Sequence, residues 1–286
     1  WLLSGHCAHS FDCERWKIGC GQCPDLSLYP AVERDATAYN WRRKRKIFAR
    51  SRLYVTAPSE WLMGKVQQSI LAPVMQSARV IPNSVDLSIF RPEDRLGART
   101  KLNISRDAKV LLFTANGIRK NVWKDYETMR GSVATIAHRM RAHHLIFIAL
   151  GEDAPTERIG QAEVRFIPYQ KDRSAVARYC QAADIYIHAA RAEVWGLAIT
   201  EALACGTPVV ATGVGGIPEQ VKGLDLPQFS LWNAGVNRYG KGEATGILVP
   251  CRDGQAMAAS IEVLLRDDSL RRQLGEDIGL HFNFST

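Results

Sequence analysis

At 286 residues, with 46% apolar and 23% charged side chains, the chain can build one large domain or two modest ones, and its composition excludes disorder and coiled coil. Its 37 basic and 29 acidic residues leave a net charge of +8, which favours anionic partners: phosphates, anionic lipid or nucleic acid. No apolar run approaches the roughly 18–20 residues of a membrane-spanning helix, and the first residues lack the basic start and apolar core of a signal peptide. Because the chain opens on Trp1 and not Met, further residues are expected upstream.

In chain order, residues 1–30 are rich in Cys, His and Gly and read as irregular. Trp41 to Phe48 is a basic helical stretch. Leu53–Ala57 is a β-type run stopped by Pro58, and Ser59 is placed to cap a helix from Glu60 to about Ile70. Residues 80–83 form a further short strand and turn. From Lys109 onward apolar strands alternate with helices. The strands are 110–114, 145–150, 164–167, 184–188, 208–212 and 246–250; the helices are 125–141, 174–182, 197–205 and 255–265. Residues 222–244, with Trp232 and Tyr239, are a polar insertion that is either a lid or an excursion.

This alternation predicts an α/β fold, with parallel βαβ units forming a doubly wound sheet over roughly residues 90–270. Such sheets bind ligands outside the C-terminal strand ends. The segment from Arg191 to Ala202 lies there, after one strand and opening a helix. Gly196 permits close backbone approach, and the first-turn amides of Gly196 and Leu197 suit a phosphate. Glu193 in the loop and Glu201 inside the helix would border one pocket, one holding a ribose and the other a hexose through hydroxyl hydrogen bonds. The next unit brings a second glycine-rich loop through Gly215 and Gly216. The turn at Gly117 leads to Arg119, Lys120 and Lys124, cations suited to a diphosphate.

Glu193 and Glu201 at this spacing, Gly196-Leu197, the run from Glu201 to Thr212, and Gly215-Gly216 resemble glycosyltransferase family 4. Residues 57–62, 80–86, 90–92 and 245–250 extend the resemblance over nearly the whole chain. It implies a retaining enzyme of the GT-B fold, with two Rossmann-like domains, the N-terminal one incomplete in this chain. The expected division is 1–88 for the C-terminal part of the acceptor side, 89–275 for the donor-binding domain, and 276–286 for the start of a crossover helix. Glu193 would contact the donor sugar, Glu201 the ribose, Gly196 and Leu197 the phosphate, and Arg119 and Lys124 the diphosphate, with Gly117, Gly215 and Gly216 lining the donor site. The resemblance implies a UDP- or GDP-sugar donor, no cofactor required for catalysis, and a glycan or lipid-linked acceptor. The first residues resemble a bacterial subgroup making surface polysaccharide, with a cytoplasmic location. The family's usual Gly after the lysine is Asp125 here.

Cys7, Cys13, Cys20 and Cys23 allow three readings: a closed structural zinc site, disulfides, or packed thiols, with His6 and His9 as spare ligands. Cys180, Cys205 and Cys251 read as small apolar side chains of a reduced protein. The run Arg42–Lys46, flanked by Trp41, Ile47 and Phe48, is either a solvated helix face or a peripheral contact with the inner face of a membrane. His188 at a strand end reads as a packed residue. Rival functions are a GT-B-type epimerase or phosphorylase, a non-catalytic donor-binding homologue, and a nucleic-acid module. The last is disfavoured because no zinc-finger Cys/His spacing or basic-aromatic sheet surface is present, so no nucleic-acid partner is expected.

Overall fold

A computed structural model describes residues 3–8, 10–226 and 238–281. The chain divides into two compact units, residues 1–83 and residues 84–286.

In the first unit, α1 (Thr37–Phe48) precedes β1 (Leu53–Ala57), α2 (Glu60–Gln67) and β2 (Met75–Val80). Ser59 caps α2 by accepting from the Leu62 N–H. β1 and β2 pair in parallel around a small core of Ala57, Met63, Val66 and Leu71. The second strand lies at 75–80, earlier than the 80–83 the sequence suggested. Its polar residues carry no alternation of their own, and pairing with β1 is what makes it a strand. The basic helix does not offer the apolar flank expected of a membrane contact. Trp41 is buried and donates its indole N–H to the Trp16 carbonyl, and Phe48 packs on the small core, leaving Ile47 exposed.

The second unit begins with α3 (Arg95–Lys101), β3 (Lys109–Thr114), α4 (Tyr126–Arg139), β4 (Leu145–Leu150), β5 (Glu157–Ile159), β6 (Ala162–Ile167) and α5 (Arg173–Ala182). It continues with β7 (Ile185–His188), α6 (Leu197–Ala204), β8 (Val209–Thr212), α7 (Ile217–Gln220), β9 (Gly223–Leu224), β10 (Arg238–Tyr239), β11 (Gly246–Val249), α8 (Gly254–Arg266) and α9 (Asp268–His281). Asp94, Asp125, Asp172 and Asp253 cap α3, α4, α5 and α8 through their carboxylates. α9 starts at Asp268, well before the helix expected near the chain end, and buries Leu270, Leu274 and Ile278.

Among the described residues these strands form a nine-stranded sheet in the order β10-β9-β11-β8-β7-β3-β4-β6-β5. The central strands are continuous apolar runs, and β4, β7, β8 and β11 are buried along their whole length. β5 is the departure from the parallel pattern, forming an antiparallel hairpin with β6. The insertion after α7 opens with β9 and closes past β10, which forms the sheet edge; Trp232 lies outside the described residues. The chain moves outward from β3 through β4 to β6, then crosses back to β7 and on to β8. Right-handed crossovers in these two directions put α4 and α5 on opposite faces. The order reverses between β3 and β7, which makes the C-terminal ends of these strands the topological switch point.

At the opposite strand ends a buried ion cluster ties the layers together. Asp184 accepts from the Val110 N–H and from Arg99, both at 2.8 Å, with Arg95 at 3.4 Å and Arg271 at 3.6 Å. Arg99 spends its other N–H groups on the carbonyls of Ala182, Arg106 and Ala108. A cavity of about 1090 Å³ adjoins this cluster at the N-terminal strand ends, away from the switch point. Asp184→Ala would leave the buried Arg99 charge without a partner and is expected to cost about 3–5 kcal/mol, read as a lower urea midpoint.

Candidate functional site

Two loops meet at the switch point. After β3, Gly117 takes a left-handed turn (φ 61°), a short 3-10 turn follows, and the chain reaches Asp125, which caps α4. Residues 123–125 run antiparallel to 189–191. The Asp125 N–H donates to the Ala189 carbonyl at 3.0 Å, the Arg191 N–H donates to the Trp123 carbonyl at 2.9 Å, and Lys124 bridges Ala190. Asp125, where the resemblance led one to expect Gly, accepts from the Thr128 N–H and hydroxyl.

This pairing delivers Lys124 to Glu193. The ammonium lies 2.5 Å from Glu193 Oε2 and 3.0 Å from His188 Nε2, and both side chains of the ion pair are largely buried. Burial works against the Glu193 charge, but the Lys124 ammonium beside it offsets this and holds the carboxyl below the usual glutamate range. His188, wholly buried, is pushed down to about 4 by burial and by the Lys124 charge, so it is neutral at pH 7. Thr114, the last residue of β3, is 3.1 Å from the Tyr186 hydroxyl, which is 3.3 Å from His188 Nδ1.

The Glu193 loop is braced from below. Its carbonyl accepts from the Gly216 N–H at 3.1 Å, and a side chain on Gly215 would meet that carbonyl at 1.8 Å. Thr212 bonds both the N–H and the C=O of Ala190 at 2.9 Å. Gln220 clamps the mouth of α6: its Oε1 accepts from the Gly196 N–H at 2.9 Å, and its amide donates to the Gly196 carbonyl and the Thr200 hydroxyl.

The expected residues therefore divide. Lys124 and Glu193 touch each other. Arg119 shares with Lys124 a basic cavity of about 380 Å³ that also holds Arg191 and Arg252, while its guanidinium stacks over Phe166 and faces Glu152 at 3.9 Å. The Gly196 and Gly216 amides do not face a ligand, because Gln220 and the Glu193 carbonyl occupy them. The amides of Leu197 and Ala198 have no acceptor among the described residues, so they carry the anion-binding capacity of α6. Glu201 stands apart from the Lys124–Glu193 pair. Burial pushes its carboxyl up, and the charge that counters this is Arg173 of α5. Tyr186, Thr212 and Gln220 escaped the sequence reading, and His188, read there as a packed residue, faces the ion pair at the switch point.

In the first unit, Cys7, Cys13, Cys20 and Cys23 line one cavity of about 20 Å³ with His6. They are free thiols, and among the described residues no group of three or more His, Cys, Asp or Glu is arranged to hold a metal ion. The sulfurs are engaged locally instead. The Gly5 N–H donates to Cys20 Sγ at 3.2 Å, Cys23 Sγ donates to the Asp25 carbonyl at 3.4 Å, and burial pushes both thiols up. His9 lies outside the described residues.

An open, mostly parallel sheet with its polar cluster at the switch point is a Rossmann-like α/β architecture, and structures of the GT-B fold share it. The chain is similar to a sucrose-phosphate synthase from Thermosynechococcus elongatus (TM-score 0.64, 25% identity, 88% of this chain and 60% of that one). It is similar in fold to HepE from Anabaena in complex with UDP and glucose (TM-score 0.62, 18% identity, 85% and 61%). Residues 154–278 match the family described as Glycosyl transferases group 1. A D-inositol 3-phosphate glycosyltransferase from Kineococcus radiotolerans is 32% identical over 213 residues, 68% of this chain and 45% of the relative. One of the same description from Actinosynnema mirum is 35% identical over 158 residues, 50% of this chain and 37% of the relative. The chain thus spans less than half the length of these two relatives.

Gly215→Ala should cost roughly 3 kcal/mol or more, because a β-carbon there meets a backbone carbonyl and the residue is left-handed (φ 61°); thermal denaturation checks this. Acid should also destabilise the domain in two steps. An unfolded histidine binds a proton near 6.5 and folded His188 only near 4, so stability is lost as pH falls through that window. An unfolded glutamate protonates near 4.5 and folded Glu193 near 2, so its contribution disappears over that lower range. Urea midpoints measured against pH should show the first step shrink in His188→Gln.

Proposed function

We propose that the protein is a retaining glycosyltransferase of family 4, moving a sugar from a nucleoside diphosphate sugar to a glycan or lipid-linked acceptor in surface polysaccharide assembly. The observation that carries this reading is the Lys124–Glu193 pair, held at the switch point beside a cavity lined by four basic side chains. A cation joined to a carboxylate suits the junction of a diphosphate with a sugar. The ammonium takes the phosphate charge that grows as the bond to the sugar breaks, and the carboxylate accepts from sugar hydroxyls. Arg119 and the Leu197 and Ala198 amides add positive potential for the same diphosphate. Glu201, half-buried on α6, accepts from the ribose hydroxyls in this reading, with Gly117, Gly196 and the loop at Gly215 and Gly216 shaping the donor site.

Transfer then breaks the bond between the anomeric carbon and the phosphate oxygen and forms the acceptor bond on the same face. The acceptor hydroxyl proton passes to the departing phosphate. In this reading residues 1–88 belong to the acceptor side and 89–275 to the donor side. The activity belongs to the cytoplasm in this reading, and a peripheral contact at the inner face of the membrane would rest on charge alone, from the exposed Arg42, Arg43, Arg45 and Lys46. Among the described residues no helix is long and apolar enough to cross a membrane.

UDP- and GDP-sugars are the donors to test, UDP-glucose first, given the UDP and glucose bound by HepE. Acceptor-dependent release of nucleoside diphosphate is expected of the full-length protein, not of this chain alone; release without acceptor dependence would favour an epimerase or phosphorylase. Glu193→Ala should lower kcat by about 10²–10³ with little change in donor affinity. Glu201→Ala should weaken nucleotide binding by about tenfold in calorimetry. Unchanged kinetics in both variants would overturn the assignment.

A further inference from the structure

His188 faces two groups with opposite demands. Its Nε2 lies 3.0 Å from the Lys124 ammonium and 3.6 Å from Glu193 Oε2. An ammonium can only donate, so at 3.0 Å the imidazole nitrogen must accept and must be bare; 3.6 Å is too long for a hydrogen bond to the carboxylate to compete. The proton then sits on Nδ1, which faces the Tyr186 hydroxyl at 3.3 Å. That hydroxyl accepts from Nδ1–H and donates its own hydrogen to Thr114 Oγ1 at 3.1 Å. The chain of donors runs in one direction from His188 through Tyr186 to Thr114, and each member has one role.

We infer that His188 is a positioning residue: locked as the Nδ1–H tautomer by Tyr186 and Thr114, it presents a bare Nε2 that fixes the Lys124 ammonium against Glu193 and the adjoining basic cavity. The other groups around the ring agree. Lys124 comes from the segment after β3, Glu193 from the loop after β7, and Tyr186 from the same strand as His188, while Phe113 of β3 closes the remaining side edge-on at 5.6 Å. Burial and the Lys124 charge hold the ring neutral, with a pKa of about 4. A protonated ring would point a second N–H at the ammonium and drive Lys124 away. Of the three ammonium hydrogens, one goes to Glu193 and one to His188, which leaves one for a ligand. The arrangement resembles the way an outer carboxylate or carbonyl fixes the tautomer of a ligating histidine, except that here the histidine orients a lysine.

The inference about the tautomer needs no substrate; its catalytic consequence rests on the proposed glycosyltransferase reading. Nitrogen-15 NMR of the histidine-labelled protein tests the first part. His188 should show a protonated Nδ1 and a bare Nε2 from pH 5.5 to 8, and Tyr186→Phe should shift the tautomer balance. The opposite tautomer, or a ring that takes up a proton within that range, would overturn the inference. Kinetics with UDP-glucose test the second part. His188→Leu should lower kcat about 10–100-fold while UDP affinity stays within about twofold. His188→Gln, whose side-chain oxygen can replace the bare nitrogen, should recover at least tenfold of that loss. Equal loss in both variants, with folding intact by circular dichroism, would reduce His188 to a packing residue. If the wild-type protein hydrolyses or transfers no nucleotide sugar, the proposed function fails, and the tautomer measurement still decides the inference.

Discussion

The arrangement depends on a short antiparallel contact between residues 123–125 and 189–191, which joins the loop after β3 to the loop after β7. These strands are sheet neighbours but are separated in sequence by three strands and two helices. Without the contact, Lys124 and Glu193 would each be a charged side chain on its own loop, and a loose ion pair of that kind contributes little. Backbone hydrogen bonds on both sides of Lys124 remove that freedom before the side chains meet. The pair is then made in a largely buried place, where a misplaced charge would be expensive.

The same economy governs the support beneath the site. Gly215 is close to the Glu193 carbonyl because no other residue could approach it without collision, and the Gly216 N–H closes that contact. Gln220 uses its full amide to hold Gly196 and Thr200, so the entry to α6 is rigid. Much of the glycine-rich character of these loops therefore serves backbone-to-backbone packing, while the amides of Leu197 and Ala198 have no acceptor among the described residues. A glycine-rich loop after a strand does not by itself say whether its amides face a ligand or the protein.

Electrostatically the two ends of the sheet contrast. At the N-terminal strand ends Asp184 is shared by Arg95, Arg99 and Arg271, three cations around one buried carboxylate. At the switch point Lys124 retains bonding capacity beside Arg119, Arg191 and Arg252. The larger cavity adjoins the Asp184 cluster and the smaller one the basic side chains around Lys124.

The sequence by itself determined the central strands and most of the helices of the second unit, because each is written locally: an unbroken apolar run, an aspartate cap, a terminating glycine such as Gly206. It also marked Glu193, Lys124 and the mouth of α6 as chemically active. It could not reveal β2, whose polar residues become a strand only against β1, nor the hairpin of β5, nor the burial of Trp41. Only the tertiary structure decided which amides remain open, that Glu201 and Glu193 answer to different neighbours, and that His188 accepts a hydrogen bond from Lys124. Those properties are relations between residues far apart in the chain. A hydrogen bond has one donor and one acceptor, and the identity of the partner is set by the fold that brings them within 3 Å or so of each other.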